Sequence, residues 1–259
     1  MISDPKPTVV VVSGAFHTPQ SYEKLRVALQ GSGYEVHIPR LPTCSQARPP
    51  NADLASDTEH IRSYVESLVQ ARRTVVVVGH SYGGQICSNA LCGLGVGVRS
   101  SNGLAGGVTC IIYLAGYALP EGVSTLDKFT EFGNIEDMPL AFDMAEDGTA
   151  IVHNPRMLFG LDGPGISDED IEAYNKTLCR WNSKGMLQPL ERAAWREIPV
   201  AYIHTTSDPS IPTPEQQSMV SFLENAGRKV MTFTVESGHA PNFNAAQGVT
   251  EAINKVVSA

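Results

Sequence analysis

The sequence has no surplus of positive charge, and this limits the partners that it can be expected to bind. It contains 19 Lys and Arg residues against 27 Asp and Glu residues, so its formal net charge is −8. Proteins that bind nucleic acid depend on Lys and Arg side chains, which displace counterions from the phosphate backbone. We therefore expect no nucleic acid partner.

Long hydrophobic runs are also missing. A helix that crosses a bilayer needs about 20 consecutive apolar residues, whereas the apolar runs here, such as 7–12, have the length of a β-strand. Residues 1–7 do not show the basic region and apolar segment of a secretory signal. We expect no membrane span and a cytoplasmic location.

The cysteines lack the spacings that mark cysteine-based sites. They show neither a CxxC motif nor a Cys/His ligand pattern, and their number is odd. They are Cys44, Cys87, Cys92, Cys110 and Cys179. Because isolated cysteines of this kind usually act as small buried hydrophobic side chains, we expect neither a disulfide framework nor a metal site.

Strand-like and helix-like stretches alternate along the chain. Buried strand character is found at 8–13, 34–38, 74–78, 108–114, 200–204 and 230–235. Helical spacing of apolar residues is found at 21–30, 53–71, 213–226 and 244–257. This alternation predicts an α/β fold with an open, mainly parallel sheet of about six strands and helices on both faces. We expect a single domain over 1–259.

One region interrupts the alternation. From about 121 to 197 no buried strand pattern is evident, turns are indicated near 147–148 and 162–165, and both tryptophans, Trp181 and Trp195, occur there. Ligands of open α/β sheets bind beyond the carboxyl ends of the strands. We expect this region to be an inserted cap that covers that edge of the sheet.

A serine lies at the turn between a strand and a helix. The predicted strand 74–78 is followed directly by Gly79-His-Ser81-Tyr-Gly83, and helical character follows over 85–91. GxSxG in this context is typical of a nucleophile elbow, in which glycines allow a sharp turn that raises the serine hydroxyl above the sheet. The pattern predicts Ser81 as a nucleophile, and the alternatives are a structural turn serine and a degenerate site.

A serine hydroxyl attacks efficiently only with a base and a group that orients the base. His239 directly follows the last predicted strand, and Asp208 follows the predicted strand 200–204. Both residues therefore fall on loops at the same sheet edge as Ser81, in the chain order Ser, Asp, His. We expect these three residues to form a catalytic triad. The alternatives are a loop histidine without a partner and an aspartate that only forms a turn before Pro209.

Backbone N–H groups near Ser81 are predicted to form an oxyanion hole. One donor is expected from Tyr82, the residue after the nucleophile. The second is expected from the loop after the first strand, where Gly14 permits a close backbone approach. Within that loop we expect the N–H of Ala15 to be the donor, with Phe16 as the alternative.

The aromatic residues of the expected cap are candidates for a substrate pocket. Aromatic side chains in such a region can line a cavity or simply pack against each other, and the sequence does not separate these cases. His17, in the loop after the first strand, can likewise contact substrate or hold the loop. The candidates are His17, Phe129, Phe132, Phe159, Trp181 and Trp195.

Four motifs resemble those of the α/β-hydrolase superfamily. They are Ser13-Gly-Ala-Phe-His17, Gly79-His-Ser-Tyr-Gly-Gly84, Tyr113-Leu-Ala-Gly-Tyr-Ala-Leu-Pro120 and Ser237-Gly-His-Ala-Pro241. Within the superfamily they look like the branch of small plant-type methylesterases, hydroxynitrile lyases and their microbial relatives. The resemblance implies a cofactor-free enzyme with a small helical cap. It also carries over the roles of Ser81, Asp208, His239, Ala15 and Tyr82.

These features lead to one expected function and two alternatives. We expect a serine hydrolase, a monomer or homodimer, that cleaves a carboxylic ester, lactone or thioester of a small apolar molecule through an acyl-enzyme. The first alternative is a non-hydrolytic enzyme of the same fold, such as a lyase, cyclase, carbon-carbon hydrolase or acyltransferase, because a fold does not determine a reaction. The second alternative is a receptor that binds a small ligand without turnover.

Overall fold

The computed structural model describes residues 6–133, 140, 142–163 and 165–259. In chain order its strands are β1 (Thr8–Val12), β2 (Val36–His37), β3 (Thr74–His80), β4 (Gly107–Leu114), β5 (Phe142–Met144), β6 (Thr149–Val152), β7 (Trp181–Asn182), β8 (Val200–Thr205) and β9 (Val230–Val235). Six of them form a sheet in the order β2-β1-β3-β4-β8-β9. Every neighbouring pair in this sheet is parallel, which confirms the predicted open α/β architecture.

Helices connect the strands and cover both faces of the sheet. They are α1 (Glu23–Gly31), α2 (Leu54–Gln70), α3 (Tyr82–Ala90), α4 (Val96–Ser101), α5 (Thr125–Glu131), α6 (Pro155–Phe159), α7 (Asp168–Asn175), α8 (Lys184–Leu187), α9 (Thr213–Asn225), α10 (Pro241–Asn244) and α11 (Ala246–Ser258). Short 3-10 turns lie at Pro19–Tyr22, Pro42–Cys44 and Ala194–Arg196. In the described part of the chain, no helix is both long enough and apolar enough to cross a membrane.

The first strand explains why the sheet has a core on each face. All five residues of β1 are buried, and successive side chains of a strand point to opposite faces. Val10 and Val12 belong to one hydrophobic cluster, which includes residues of α2 and α3. Val9 and Val11 belong to a second cluster, which includes residues of α1 and α11. A continuous β-branched run is therefore buried on both sides.

The strand register brings several loops to one edge of the sheet. The last residue of β8, Thr205, is paired with Val235 at the end of β9. His80 at the end of β3 is paired with Leu114 at the end of β4. Because the strands are parallel, the loops that follow β1, β3, β8 and β9 all leave at the carboxyl edge.

The segment 121–197 lies between β4 and β8 and contains α5 to α8. It also contains an antiparallel sheet in the order β5-β6-β7, although the sequence pattern predicts no strand there and the resemblance implies a helical cap. The segment therefore contains a small sheet besides its helices, and the sequence pattern does not predict these strands. These strands have two to four residues and alternate poorly, with Asp143 and Met144 both exposed, so a periodicity test cannot detect them. The predicted segment also includes 134–139, 141 and 164, which lie outside the described residues.

Candidate active site

Ser81 occupies a strained turn between β3 and α3. Its backbone has φ 53° and ψ −125°, a region that residues other than glycine rarely adopt. A Cβ atom on Gly79 would lie 2.8 Å from the Cα of Gly84, and one on Gly83 would overlap the carbonyl oxygen of Val12. The glycines of the motif are therefore required by the close approach of β3, α3 and β1.

Ser81, His239 and Asp208 form a chain of hydrogen bonds. His239 Nε2 lies 2.9 Å from Ser81 Oγ, and His239 Nδ1 lies 2.8 Å from Asp208 Oδ2. Because a carboxylate only accepts, Nδ1 carries the ring proton and Nε2 is left to accept from the serine hydroxyl. The histidine and aspartate residues are buried. The structure thus brings together all three residues of the predicted triad in the expected order.

Four donors hold the carboxylate of Asp208 in one orientation. Its Oδ1 accepts from the N–H groups of Ser210 and Ile211, each at 2.8 Å. Its Oδ2 accepts from the Thr205 hydroxyl at 2.9 Å, in addition to His239. The loop after β8 therefore fixes the group that orients the imidazole ring.

Ala15 and Tyr82, the two residues expected to supply oxyanion donors, both lie at the cavity that contains Ser81. Tyr82 is the first residue of α3, where N–H groups have no partner within the helix. Among the described residues, neither N–H donates to a protein acceptor, and the same holds for Phe16. All three N–H groups are therefore without a protein acceptor in the described part of the chain.

The loop after β1 is tied to the inserted segment by His17. Its Nδ1–H donates to the carbonyl of Ala15 at 2.7 Å, and its Nε2 accepts from the Tyr174 hydroxyl at 2.6 Å. Burial lowers the pKa of His17 to about 3, so the ring is neutral at physiological pH. His17 does not line the cavity. Its two hydrogen bonds instead connect the loop after β1 to Tyr174.

His80 connects three parts of the site. The N–H of Gly14 donates to the Tyr22 hydroxyl at 2.9 Å, and that hydroxyl donates to His80 Nδ1 at 2.7 Å. On its other side, His80 Nε2–H donates to the carbonyl of His239 at 2.8 Å. Burial lowers the pKa of His80 well below its usual value, which keeps the ring neutral. Sequence reasoning does not find these contacts, because they join residues 58 and 159 positions apart.

A cavity of about 150 Å³ opens onto Ser81 and His239. The predicted pocket residues that line it are Phe129, Phe159 and Trp181. Phe16, the alternative oxyanion donor, also lines it. Lining residues that the sequence reasoning misses are Tyr117, Thr125, Phe142, Met157, Leu158, Met186, Pro209, Ser210 and Ile211. Apart from His239, no Lys, Arg, Asp, Glu or His side chain of the described residues lines the cavity, so its surface is mainly aromatic and aliphatic.

Besides His17, two predicted pocket residues lie outside the cavity. Trp195 is buried, its Nε1–H donates to the carbonyl of Leu119 at 3.0 Å, and its ring packs edge-on against Phe222. Phe132 is half-buried beside Lys128, whose ammonium group lies 4.9 Å from the ring centroid. Both rings pack against other side chains of the protein. The sequence alone does not distinguish such a packed ring from one that contacts substrate.

A buried carboxyl group supports the wall of the cavity. Asp57 accepts hydrogen bonds from the Thr43 hydroxyl at 2.7 Å and from the Tyr82 hydroxyl at 3.1 Å. Trp181 Nε1–H donates to Thr43 Oγ1 at 3.1 Å. Burial raises the pKa of Asp57 to about 6, against the hydrogen bonds, which lower it. One hydrogen-bond network thus holds both Tyr82, the residue after Ser81, and Trp181 in the wall of the cavity.

Within the described ranges, no group of three or more His, Cys, Asp or Glu side chains is arranged to hold a metal ion.

Comparisons with known proteins agree with this architecture. Residues 9–252 match the profile of the alpha/beta hydrolase family. A "Probable hydrolase R7" from a Phoma species is 30% identical over 256 residues, which cover 96% of this chain and 97% of the relative.

Solved structures resemble the whole chain. A pyrethroid hydrolase from Sphingobium faniae has a TM-score of 0.73 at 20% identity, with 98% of each chain covered. The methylesterase MES16 from Arabidopsis has a TM-score of 0.72 at 18% identity, with 97% of this chain and 99% of that chain covered. These similarities confirm the α/β-hydrolase fold that the sequence predicts.

Proposed function

This chain belongs to the alpha/beta hydrolase family, and we propose that it is a serine esterase that cleaves a small, uncharged ester through an acyl-enzyme. The observation that carries the proposal is the hydrogen-bond chain from Ser81 through His239 to Asp208, at 2.9 Å and 2.8 Å. Nucleophile and base are within hydrogen-bonding distance, and the base is oriented by a third group.

The proposed reaction has two stages. In the first, His239 Nε2 takes the proton of Ser81 as its oxygen attacks the ester carbonyl, and the N–H groups of Tyr82 and Ala15 stabilise the oxyanion. Protonated His239 then gives its proton to the leaving alkoxide, and an acyl-serine remains. In the second stage, the same histidine takes a proton from water as its oxygen attacks the acyl-serine, and it returns that proton to the Ser81 oxygen as the acid is released.

The cavity supports an uncharged substrate with a compact apolar group. Its lining contains several aromatic rings and the thioethers of Met157 and Met186, and no Lys, Arg, Asp or Glu side chain among the described residues. A charged substrate group would lose its hydration there without gaining a partner. A volume of about 150 Å³ is the size of an apolar cavity that accepts benzene, so one ring-sized group fits beside Ser81.

The names of similar proteins support ester chemistry in general terms. One similar structure is described as a pyrethroid hydrolase and another as a methylesterase. Their sequence identity to this chain is 20% or less, so they do not identify its substrate. We further propose that the chain is one domain over 1–259, with 121–197 as a cap, and that it acts in the cytoplasm as a monomer or homodimer without a cofactor.

A matched pair of esters tests the proposal. We would compare the kcat/KM of p-nitrophenyl benzoate with that of its analogue carrying a carboxylate on the benzoyl ring, for the wild-type protein and for Ser81→Ala. We expect hydrolysis of the neutral ester by the wild type only, and at least a hundredfold lower kcat/KM for the charged analogue. Hydrolysis that survives Ser81→Ala would show that another group carries the chemistry and would contradict the acyl-enzyme on Ser81. Tight binding of esters without turnover would favour a receptor.

A further inference from the structure

One turn of the inserted segment contacts the loops that carry two members of the proposed triad. This turn, residues 158–160, contains the last two residues of α6 and Gly160, the residue that ends the helix. We infer that the 158–160 turn is a positioning element, which holds Asp208 and His239 in the geometry that activates Ser81. The inference rests on the proposed function, because it concerns the residues that carry it.

The first contact is with the loop of the aspartate. Ser210 Oγ donates to the carbonyl of Leu158 at 2.5 Å. The backbone N–H of the same serine donates to Asp208 Oδ1 at 2.8 Å. A single residue thus joins the 158–160 turn to the carboxylate that orients His239.

The second contact is with the loop of the histidine. Gly238 immediately precedes His239, and a Cβ atom on it would lie 2.5 Å from the Phe159 carbonyl oxygen and 2.7 Å from the Cα of Gly160. Neither atom is the flexible end of a side chain, so the two backbones are in direct contact. The left-handed backbone of Gly160, with φ 57°, makes this approach possible.

The third contact involves the aromatic ring of the turn. The Phe159 ring is nearly parallel to the His239 ring, at 14° and with 6.3 Å between centroids, and it lies 4.9 Å from the His17 ring. Phe159 is only 2% exposed. The imidazole ring of His239 therefore faces a buried ring that also packs against His17, in the loop after β1.

These contacts predict an effect on turnover rather than on substrate binding. Gly238 does not line the cavity, so an added methyl group there acts on the position of His239 and not on the substrate directly. Displacement of a catalytic group by about 1 Å can lower a rate by up to a hundredfold. A change at Gly238 should therefore lower kcat and leave KM nearly unchanged.

The test compares Gly238→Ala with Gly97→Ala. A Cβ atom on Gly97, in α4, meets no atom within 4 Å, so this variant makes the same chemical change in open space. Two properties are measured: kcat and KM with a neutral ester, and the low-field proton NMR signal of His239 Nδ1–H in the free protein, assigned by its loss in His239→Gln. We expect Gly238→Ala to lower kcat at least tenfold with KM within twofold, and to shift or abolish the signal. Gly97→Ala should match the wild type in both.

A kcat within twofold of wild type together with an unshifted signal in Gly238→Ala would overturn the inference. If Gly238→Ala does not fold, Ser210→Ala takes its place, with Ser67→Ala as the control that removes a hydroxyl-to-carbonyl bond at an exposed site. The same NMR shift is then expected in Ser210→Ala only, and its absence is contrary to the inference. Failure of the wild type to hydrolyse any ester would count against the proposed function, while the NMR comparison would still decide the role of the turn.

Discussion

His80 donates a hydrogen bond from Nε2–H to the backbone carbonyl of His239, at 2.8 Å. The residue before the proposed nucleophile thereby holds the backbone of the proposed base. Its other ring nitrogen accepts from Tyr22, which in turn accepts from the N–H of Gly14, next to the proposed oxyanion donor Ala15. The elbow, the base and the loop after β1 therefore share one buried network.

Removing the Tyr22 hydroxyl should weaken this network. In Tyr22→Phe, the Gly14 N–H and His80 Nδ1 both lose their partner in a buried site, and each unsatisfied group costs about 1–3 kcal/mol. We expect the free energy of unfolding to fall by about 2–4 kcal/mol and kcat to fall severalfold. Urea unfolding and ester kinetics measure these effects. Tyr64→Phe is the control, because its hydroxyl also meets a histidine, His37, at 2.6 Å but far from the site. Equal losses in both variants would contradict a special role for Tyr22.

Asp208→Asn should nearly abolish turnover. In this variant the N–H groups of Ser210 and Ile211 require the amide oxygen, so the NH2 group faces His239 Nδ1 and the imidazole adopts the wrong tautomer. We expect kcat to fall by about 10³–10⁴-fold with little change in KM. Asp147→Asn removes a carboxylate from a surface cluster with Thr149 and Arg48 and serves as the control. A decrease of less than tenfold in Asp208→Asn would mean that another group orients the histidine.

The buried carboxyl group of Asp57 should make stability depend on pH. Its pKa is raised from 3.8 to about 6, so between pH 4 and 6 the folded state binds more protons than the unfolded state. Stability therefore falls as the pH rises through this window, by about 3 kcal/mol for two units. In Asp57→Asn this part of the pH dependence is lost.

The difference in stability between the wild type and Asp57→Asn isolates the titration of Asp57. The neutral buried rings of His17 and His80 act in the opposite direction, because they favour the folded state as the pH rises, but they are present in both proteins. We expect the stability of Asp57→Asn relative to wild type to increase from pH 4 to pH 6.5, as measured by urea unfolding at each pH. A difference that does not vary with pH would show that Asp57 titrates normally.

The two tryptophans should respond differently to the same change. Trp181→Phe alters the wall of the cavity, so we expect KM for a ring-bearing neutral ester to rise severalfold. Trp195→Phe removes the bond to the Leu119 carbonyl and should lower the free energy of unfolding by about 1–3 kcal/mol, with KM unchanged. Steady-state kinetics and thermal unfolding of both variants separate the two roles. A rise in KM for Trp195→Phe alone would contradict the placement of the cavity.

The sequence predicts the central sheet well, because strands buried on both faces leave long β-branched runs such as 74–78. The predicted helix over 53–71 is found at 54–70, with Asp53 as its N-cap. The positions of Ser81, Asp208 and His239 after three strands also follow from pattern and chain order. Because parallel strands end at the same edge of the sheet, local patterns are enough to predict that these three residues lie close together.

The inserted segment is less predictable. Its strands β5, β6 and β7 are short, and the pairing of β6 with β7 joins residues that are far apart in the chain. Trp181 and Trp195 are both buried aromatic residues of one segment, yet only Trp181 reaches the cavity. Tertiary packing determines which of the two rings lines the cavity. Neither periodicity nor composition predicts such packing.

The measurement that tests the central claim most directly is mass spectrometry after treatment with a fluorophosphonate, on the wild type and on Ser81→Ala. This reagent forms a stable bond with an activated serine oxygen. We predict one adduct on the folded wild type, located by peptide mapping at Ser81, with loss of esterase activity in proportion to labelling, and no adduct on Ser81→Ala. Ester hydrolysis by a wild-type protein that remains unlabelled, or labelling at another residue, would contradict the role of Ser81 as the nucleophile.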